Sequence, residues 1–321
     1  MRLNRALLSN LLNICRFCSE LMIASHPSTI VLEGCTGRGD QTNDVIFTGC
    51  PGKPSLNIVY FGGDVQDLSR AMKVHAEGLK FIHWNLEQTG RLLFDRFSAC
   101  STLSNPHVWI IRPSHYVHKV FACYSYFLPF DSHGIPLFDG VGKNIVALDH
   151  LTQVLSSAVS KLKEQNDKLQ PSFLCAPLYL IGFSKGCCVL TTIFYELSTC
   201  AGVSSDKFHS CQLSSPLLSV LQRLCRMYWL DGGHSGGEHQ WPIFEKHLSA
   251  IDTEHCPEIF VYATPYQVMD TERPWKAREF YLFLGLLKKY NLPHRHDILF
   301  GDQKKSDLES HFNILKSFPI E

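Results

Sequence analysis

The chain of 321 residues has no excess of charge of either sign: Lys plus Arg and Asp plus Glu stand at 30 each. Without clustered basic residues it has no means of neutralising a run of phosphates, which argues against nucleic acid as its main partner. It also lacks any apolar run of the roughly 18 to 20 residues needed to cross a bilayer, so no transmembrane segment is expected. No internal repeat, low-complexity linker or charge block divides it. Asn-x-Ser/Thr acceptor sites are absent, and the 13 cysteines, an odd number, show no paired zinc spacing. Several lie in apolar runs such as SFLCAPLYLIG and GCCVL. Buried free thiols in a reducing compartment explain that pattern better than a disulfide framework does. The single Cys-x-x-Cys, Cys15 to Cys18, has no second pair and carries no metal prediction.

What is present begins with the leader. MRLNRALLSNLLNICRFC carries Arg2, Arg5 and Arg16 with no acid before Glu20, and Leu3, Leu7, Leu11 and Ile14 recur at helical spacing. An amphipathic, arginine-bearing, acid-poor start is the pattern of a mitochondrial targeting segment, expected over residues 1–25. The alternative is a secretory signal with ALLSNLLNIC as its apolar core, a reading weakened by the asparagines within it.

From residue 30 to 321 the pattern is that of one α/β domain. The runs STIVLE, NDVIFTG, LNIVYF, HVWIIR, PLYLIGF, RMYWL, EIFVYA and HDILF read as strands. Helical periodicity separates most of them, over 65–80, 144–169, 186–199, 275–290 and 307–317. Alternation of this kind predicts a mostly parallel, eight-stranded sheet with flanking helices, since a crossover between parallel strands needs a helix-length connection. Residues 113–143, 200–225 and 231–257 are irregular, and long excursions of this kind in a compact domain serve as lids or binding loops.

The segment LIGFSKG, residues 180–186, ends a predicted strand and opens a predicted helix. In that context Gly182-Phe183-Ser184-Lys185-Gly186 matches the strained strand-to-helix turn that lifts a serine hydroxyl above a sheet, with Gly182 and Gly186 removing side chains that would clash. An ordinary turn capped by serine is the plainer reading. An acyl-transfer site would also need an oxyanion hole. Its expected donors are the Lys185 amide and the loop after LNIVYF, which runs directly into Gly62 and Gly63.

The partners must follow in the order serine, acid, histidine. His311, in the last helix, is the expected general base; His294 and His296 precede or begin the final strand and belong to its opposite end. Two acids remain open. Asp270 follows the seventh strand and is slightly favoured, while Asp231 follows the sixth in MYWLDGGH. Asp231, His234 and His239 lie close in sequence but match no zinc or iron spacing, so no metal is expected. GCTGRG near residue 34 lacks the Lys-Ser/Thr end of a phosphate loop, and no cofactor is expected.

The stretches YFGGDVQD (60–67), LIGFSKG (180–186), YWLDGGHSGG (228–237), YATPYQVMDTERPW (262–275) and LESHFNILKSF (308–318) resemble a family of animal proteins, that of human chromosome 2 open reading frame sixty-nine. The resemblance runs from about residue 30 to the end and leaves the leader uncovered. It implies import into the mitochondrion, an α/β-hydrolase-like fold and a role in respiration, and it implies no particular reaction. The residues themselves support a serine esterase or thioesterase acting on a small acyl substrate, lipid-like or acyl-CoA-like, with the aromatic loop at 121–130 lining an acyl pocket. The alternative is a non-catalytic protein of the same fold that binds a lipid or a protein partner, because folds outlive activities.

Overall fold

The computed structural model describes residues 26–100, 103–166, 169–200, 215–233, 236–302 and 307–320. The expected targeting segment, 1–25, lies outside them. Eight strands form one sheet: β1 (Ser28–Thr36), β2 (Thr42–Gly49), β3 (Leu56–Phe61), β4 (Pro106–Ile111), β7 (Leu178–Phe183), β8 (Leu224–Leu230), β9 (Glu258–Ala263) and β10 (His294–Ile298). The remaining pair, β5 (His115–Val117) and β6 (Phe121–Cys123), is a small antiparallel hairpin within the irregular 113–143 stretch.

The spatial order is β1-β2-β4-β3-β7-β8-β9-β10. β1 with β2 and β2 with β4 are antiparallel, and every pair from β4 onward is parallel. The architecture is therefore α/β-hydrolase-like, with a mostly parallel sheet. β3, β4 and β7 are buried along their whole length, which is why their sequences are unbroken apolar runs rather than alternating ones.

Helices cover both faces. Helices α1 (Leu86–Ser98) and α6 (Leu308–Ser317) bury Leu86, Leu93, Phe97, Phe312 and Leu315 in the core on one side. Helices α2 (Ala147–Gln165), α3 (Cys187–Cys200), α4 (Ser215–Arg223) and α5 (Trp275–Lys289) bury Leu151, Ile193, Val220 and Phe283 in the core on the other. The connection from β3 to β4 departs from expectation. Only one-turn helices occur over Ser69–Met72 and Ala76–Lys80, and the covering helix is α1, which starts where Asn85 accepts the Gln88 amide at 2.9 Å. The segment breaks at His75, which is extended and caps the second turn by accepting the Gly78 amide at 3.0 Å, and Gly78 lets that turn pack against the first, where a Cβ would lie 2.4 Å from the Met72 carbonyl oxygen. The last strand also begins earlier than HDILF, at His294.

From β3 the chain passes to β4 on one side, then recrosses to β7 on the other. The crevice beyond the carboxyl ends of β3 and β7 is thus a topological switch point, where open α/β sheets bind ligands.

The recrossing helix α2 begins without a cap of its own. Val146, Ala147 and Leu148 donate their amides to the buried Glu196 carboxylate of α3 at 2.7 to 2.9 Å, which satisfies orphan donors and ties the two helices together. Burial nevertheless pushes the Glu196 carboxyl up from 4.5 to about 7, the three amides only partly opposing it. The folded form then holds a proton that the unfolded chain releases, so the stability this group contributes is full at low pH and is lost as pH rises through about 7. Glu196→Gln should therefore gain on the wild type in urea midpoint as pH rises from about 5 to about 8. A difference that stays flat across that range would contradict the assignment.

Candidate active site

β7 ends at Phe183 in extended conformation, and Ser184 then turns abruptly to φ +54°. A serine in the left-handed region costs about 1 to 2 kcal/mol, and such strain persists only where surrounding packing over-determines it. Here the packing is explicit. A Cβ on Gly186 would lie 2.0 Å from the Phe61 carbonyl oxygen, and one on Gly182 would lie 2.9 Å from the Cys187 Cα. The turn can form only because both positions are glycine, and it leads at once into α3.

The parallel register carries three further strand ends to the same place. Gly182 faces Phe61 of β3, and Phe183 faces Leu230 of β8, which in turn faces Tyr262 of β9. One or two residues beyond these pairs stand Gly63, Ser184, Asp231 and Thr264. Gly63 approaches so closely that a Cβ would meet the Ser184 Oγ at 2.9 Å.

Asp231 is fully buried and, like Ser184, left-handed, at φ +51°. Its Oδ1 accepts the Thr264 amide at 2.7 Å and its Oδ2 accepts the Thr264 hydroxyl at 2.6 Å. The same Oδ2 lies 2.7 Å from His311 Nδ1. His311 is buried in the second turn of α6, a helix fixed at its start by Asp307, which accepts the Ser310 amide at 2.6 Å, and at its end by Arg96, which donates to the Leu315 and Phe318 carbonyls. The imidazole is sandwiched between Phe183 and Tyr266, at ring-centroid distances of 4.6 and 4.8 Å. With Nδ1–H donating to the carboxylate, Nε2 is the acceptor nitrogen. Ser184 and His311 line one cavity of about 540 Å³.

Asp270 takes no part in this pairing. It lies past the one-turn helix Pro265–Val268 that follows β9, and its Oδ2 accepts from Arg273 Nε at 2.7 Å and from Lys276 Nζ at 3.0 Å. Partial burial alone would raise its carboxyl, but the Lys276 and Arg273 bonds and charges outweigh that and hold it down at about 2. The histidine's carboxylate partner is therefore Asp231, and the preference for Asp270 is corrected.

The oxyanion expectation needs a similar revision. The Gly63 amide donates to Gln66 Oε1 at 3.0 Å, and the Gly62 carbonyl accepts the Tyr124 hydroxyl at 2.9 Å. Gln66 is itself locked by Tyr60 and Trp84. The Val65 amide is bonded to the Val120 carbonyl, and neither the Gly62 amide nor the Asp64 amide is bonded to a loop or side-chain acceptor among the described residues. The Lys185 amide sits in the first turn of a helix, where no intrahelical acceptor exists. The Gly63 amide is thus engaged, and the amides of Gly62, Asp64 and Lys185 remain as candidate donors.

His294 lies at the other end of the sheet, paired with Ile259 of β9, and His296 midway along β10, paired with Val261. In the aromatic loop, Phe121 lines the cavity, but Phe127 and Leu128 are core residues. Of the Asp231, His234 and His239 group, His234 lies outside the described residues. Sequence reasoning missed Thr264, Gln66 and Tyr266. Thr264 carried a usable signal, since it directly follows a buried strand in YATPY and threonine can donate from both backbone and side chain.

If Asp231 sets the tautomer of His311, Asp231→Asn should slow covalent capture of Ser184 by a fluorophosphonate by about 10² to 10⁴-fold. The loss should exceed that of Asp270→Asn by at least about tenfold; equal losses would mean that the two carboxylates share the role.

Among solved structures, the chain is similar to the esterase Est22 (TM-score 0.46, 11% identity, covering 97% of this chain and 82% of that one). It is also similar to the Pyrococcus horikoshii acylaminoacyl peptidase (TM-score 0.43, 7% identity, covering 90% of this chain and 40% of that one). Among curated proteins it is 31% identical over 271 residues to the mitochondrial protein C2orf69 homolog of Danio rerio, covering 82% of this chain and 73% of that protein. It is 27% identical over 337 residues to the mitochondrial protein C2orf69 of Homo sapiens, covering 90% and 82%. The C2orf69 family model matches residues 32–173 and 163–293, and the chain belongs to that family.

Proposed function

We propose that this protein is a serine hydrolase of the mitochondrial matrix that cleaves an ester or thioester of a lipid-like or acyl-CoA-like substrate in support of respiratory function. The observation that carries the chemistry is the strained Ser184 turn sharing a cavity with a histidine whose Nδ1 is held by a buried carboxylate. The location rests on the arginine-bearing, acid-poor leader and on relatives that are named mitochondrial proteins.

In this mechanism Ser184 Oγ attacks the acyl carbon and gives its proton to His311 Nε2. Asp231, fixed by Thr264, holds the ring in the required tautomer and stabilises the imidazolium. The amides of Lys185 and Asp64 receive the developing oxyanion. Collapse of the tetrahedral intermediate expels the leaving group, which takes the proton from His311, and water activated by the same imidazole then releases the acid from Ser184. Each of these steps is carried by the chain's own residues and water. The apolar walls, Val65, Val120, Phe121, Ile135 and Phe312, suit an acyl chain.

Treatment of the purified protein with a fluorophosphonate probe should give a single adduct on Ser184. That adduct should be absent in Ser184→Ala and slower by about 10³-fold or more in His311→Ala. A folded protein that takes no label would support instead a non-catalytic member of the fold that binds a lipid or protein partner.

A further inference from the structure

The charged side chains that line the cavity, apart from the imidazoles, are Asp64, Glu77, Lys185 and Arg273, and they divide unevenly into pairs. Glu77 is bound to Lys80 at 2.6 Å. Asp64 is 3.6 Å from the buried Lys185 ammonium, which also lies 5.5 Å from the Phe121 ring. Arg273 has only a share of a partner, because Asp270 serves both it and Lys276. Asp270 thus divides its charge between Arg273 and Lys276, and the nearby Asp231 carboxylate also acts on Lys276.

The two cations are not equivalent. Lys276 is completely buried, and its ammonium is occupied by Asp270, by the Tyr266 carbonyl at 3.1 Å and by the face of the Tyr266 ring at 4.8 Å. Arg273 has 37% of its side chain exposed and lines the cavity. Its Nε is pinned to Asp270 Oδ2, while among the described residues no protein acceptor takes its Nη1 or Nη2 hydrogens. A guanidinium held by its Nε and open at both Nη atoms is a pre-organised fork for a carboxylate or phosphate. Asp270 also accepts the amides of Glu272 and Arg273, so the anchor that aims this fork is itself rigid. The cavity it lines also has apolar walls, among them Phe121 and Leu308, which are 40% and 38% exposed.

We infer that the substrate is an anionic amphiphile: an acyl ester or thioester bearing a carboxylate or phosphate that Arg273 binds while the apolar walls take the chain. This rests on the hydrolase reading for the scissile bond, but the anion site itself needs no catalysis. Asp270 then has a role that its position in the sequence did not disclose, as the residue that orients Arg273.

Two arms test it. In the first, hexyl phosphate and hexanol are titrated calorimetrically into Ser184→Ala protein, with and without Arg273→Gln. Hexyl phosphate should bind in preference to hexanol, and Arg273→Gln should weaken it by about 10 to 100-fold, with Arg273→Lys recovering part of the loss. In the second, kcat/KM is measured for the neutral 4-nitrophenyl butyrate, for mono-4-nitrophenyl glutarate with its charge on the acyl side, and for butyryl-CoA with its charge on the leaving group. The ratio of the better anionic substrate to the neutral one should fall by about 10 to 100-fold in Arg273→Gln, and which anionic substrate is better tells on which side of the bond the charge lies. Hexyl phosphate binding that survives Arg273→Gln in a folded protein, or an unchanged ratio, overturns the inference. If Ser184 resists fluorophosphonate while Arg273-dependent binding persists, the anion site stands and the hydrolase reading falls. A labelled Ser184 without Arg273-dependent selectivity keeps the hydrolase reading and removes the anion site.

Discussion

Everything at the site depends on how closely the end of β3 and the turn after β7 can approach one another. Gly186 packs against the Phe61 carbonyl, and Gly63 packs against the Ser184 side chain. These contacts leave no room for side chains, and they hold a serine in a backbone region that L-residues rarely occupy. Because neighbouring strands are in parallel register, the same closeness brings the ends of β8 and β9 alongside. The buried carboxylate of Asp231 and its clamp, Thr264, follow from that register rather than from any local motif.

The two acids show how a low-dielectric interior assigns roles. Asp231 accepts from a threonine amide, a threonine hydroxyl and an imidazole, with no lysine or arginine bonded to it among the described residues. A carboxylate left buried without such donors would be costly, so its three bonds and its burial belong together. Asp270 sits a few residues beyond its strand, where Arg273 and Lys276 can reach it, and its charge is spent on them. Tyr266 links the two neighbourhoods, its ring packed at a tilt against His311 while its carbonyl receives the Lys276 ammonium. Arg273, Lys276 and the His311 imidazole are therefore parts of one packed unit.

Much of the architecture was legible before any coordinates. The eight strands of the sheet fall on the eight runs expected from β-rich sequence, and β3, β4 and β7, buried along their whole length, carry the uninterrupted apolar ones. Four of the five helical stretches recur within a few residues of their expected bounds. The 65–80 stretch does not, since the chain turns extended at His75 and splits it into two short pieces, and the covering helix begins instead at the Asn85 cap. Gly62 and Gly63 were readable as a close approach, but not as a loop whose Gly63 amide is consumed by Gln66. Nothing local marks Gln66 as the partner, since the bond depends on Tyr60, Trp84 and Thr89 holding its amide in place.

The amino-acid sequence by itself determined the sheet, the strand-to-helix turn at Ser184 and the position of His311 on the last helix, because each is written in patterns of a few consecutive residues. Only the tertiary structure decided which aspartate meets the imidazole, which amides remain usable, and that Arg273 keeps its fork open. Those outcomes depend on which distant groups compete for each charge and each lone pair, and that competition is settled by strand register and burial, neither of which a linear pattern encodes.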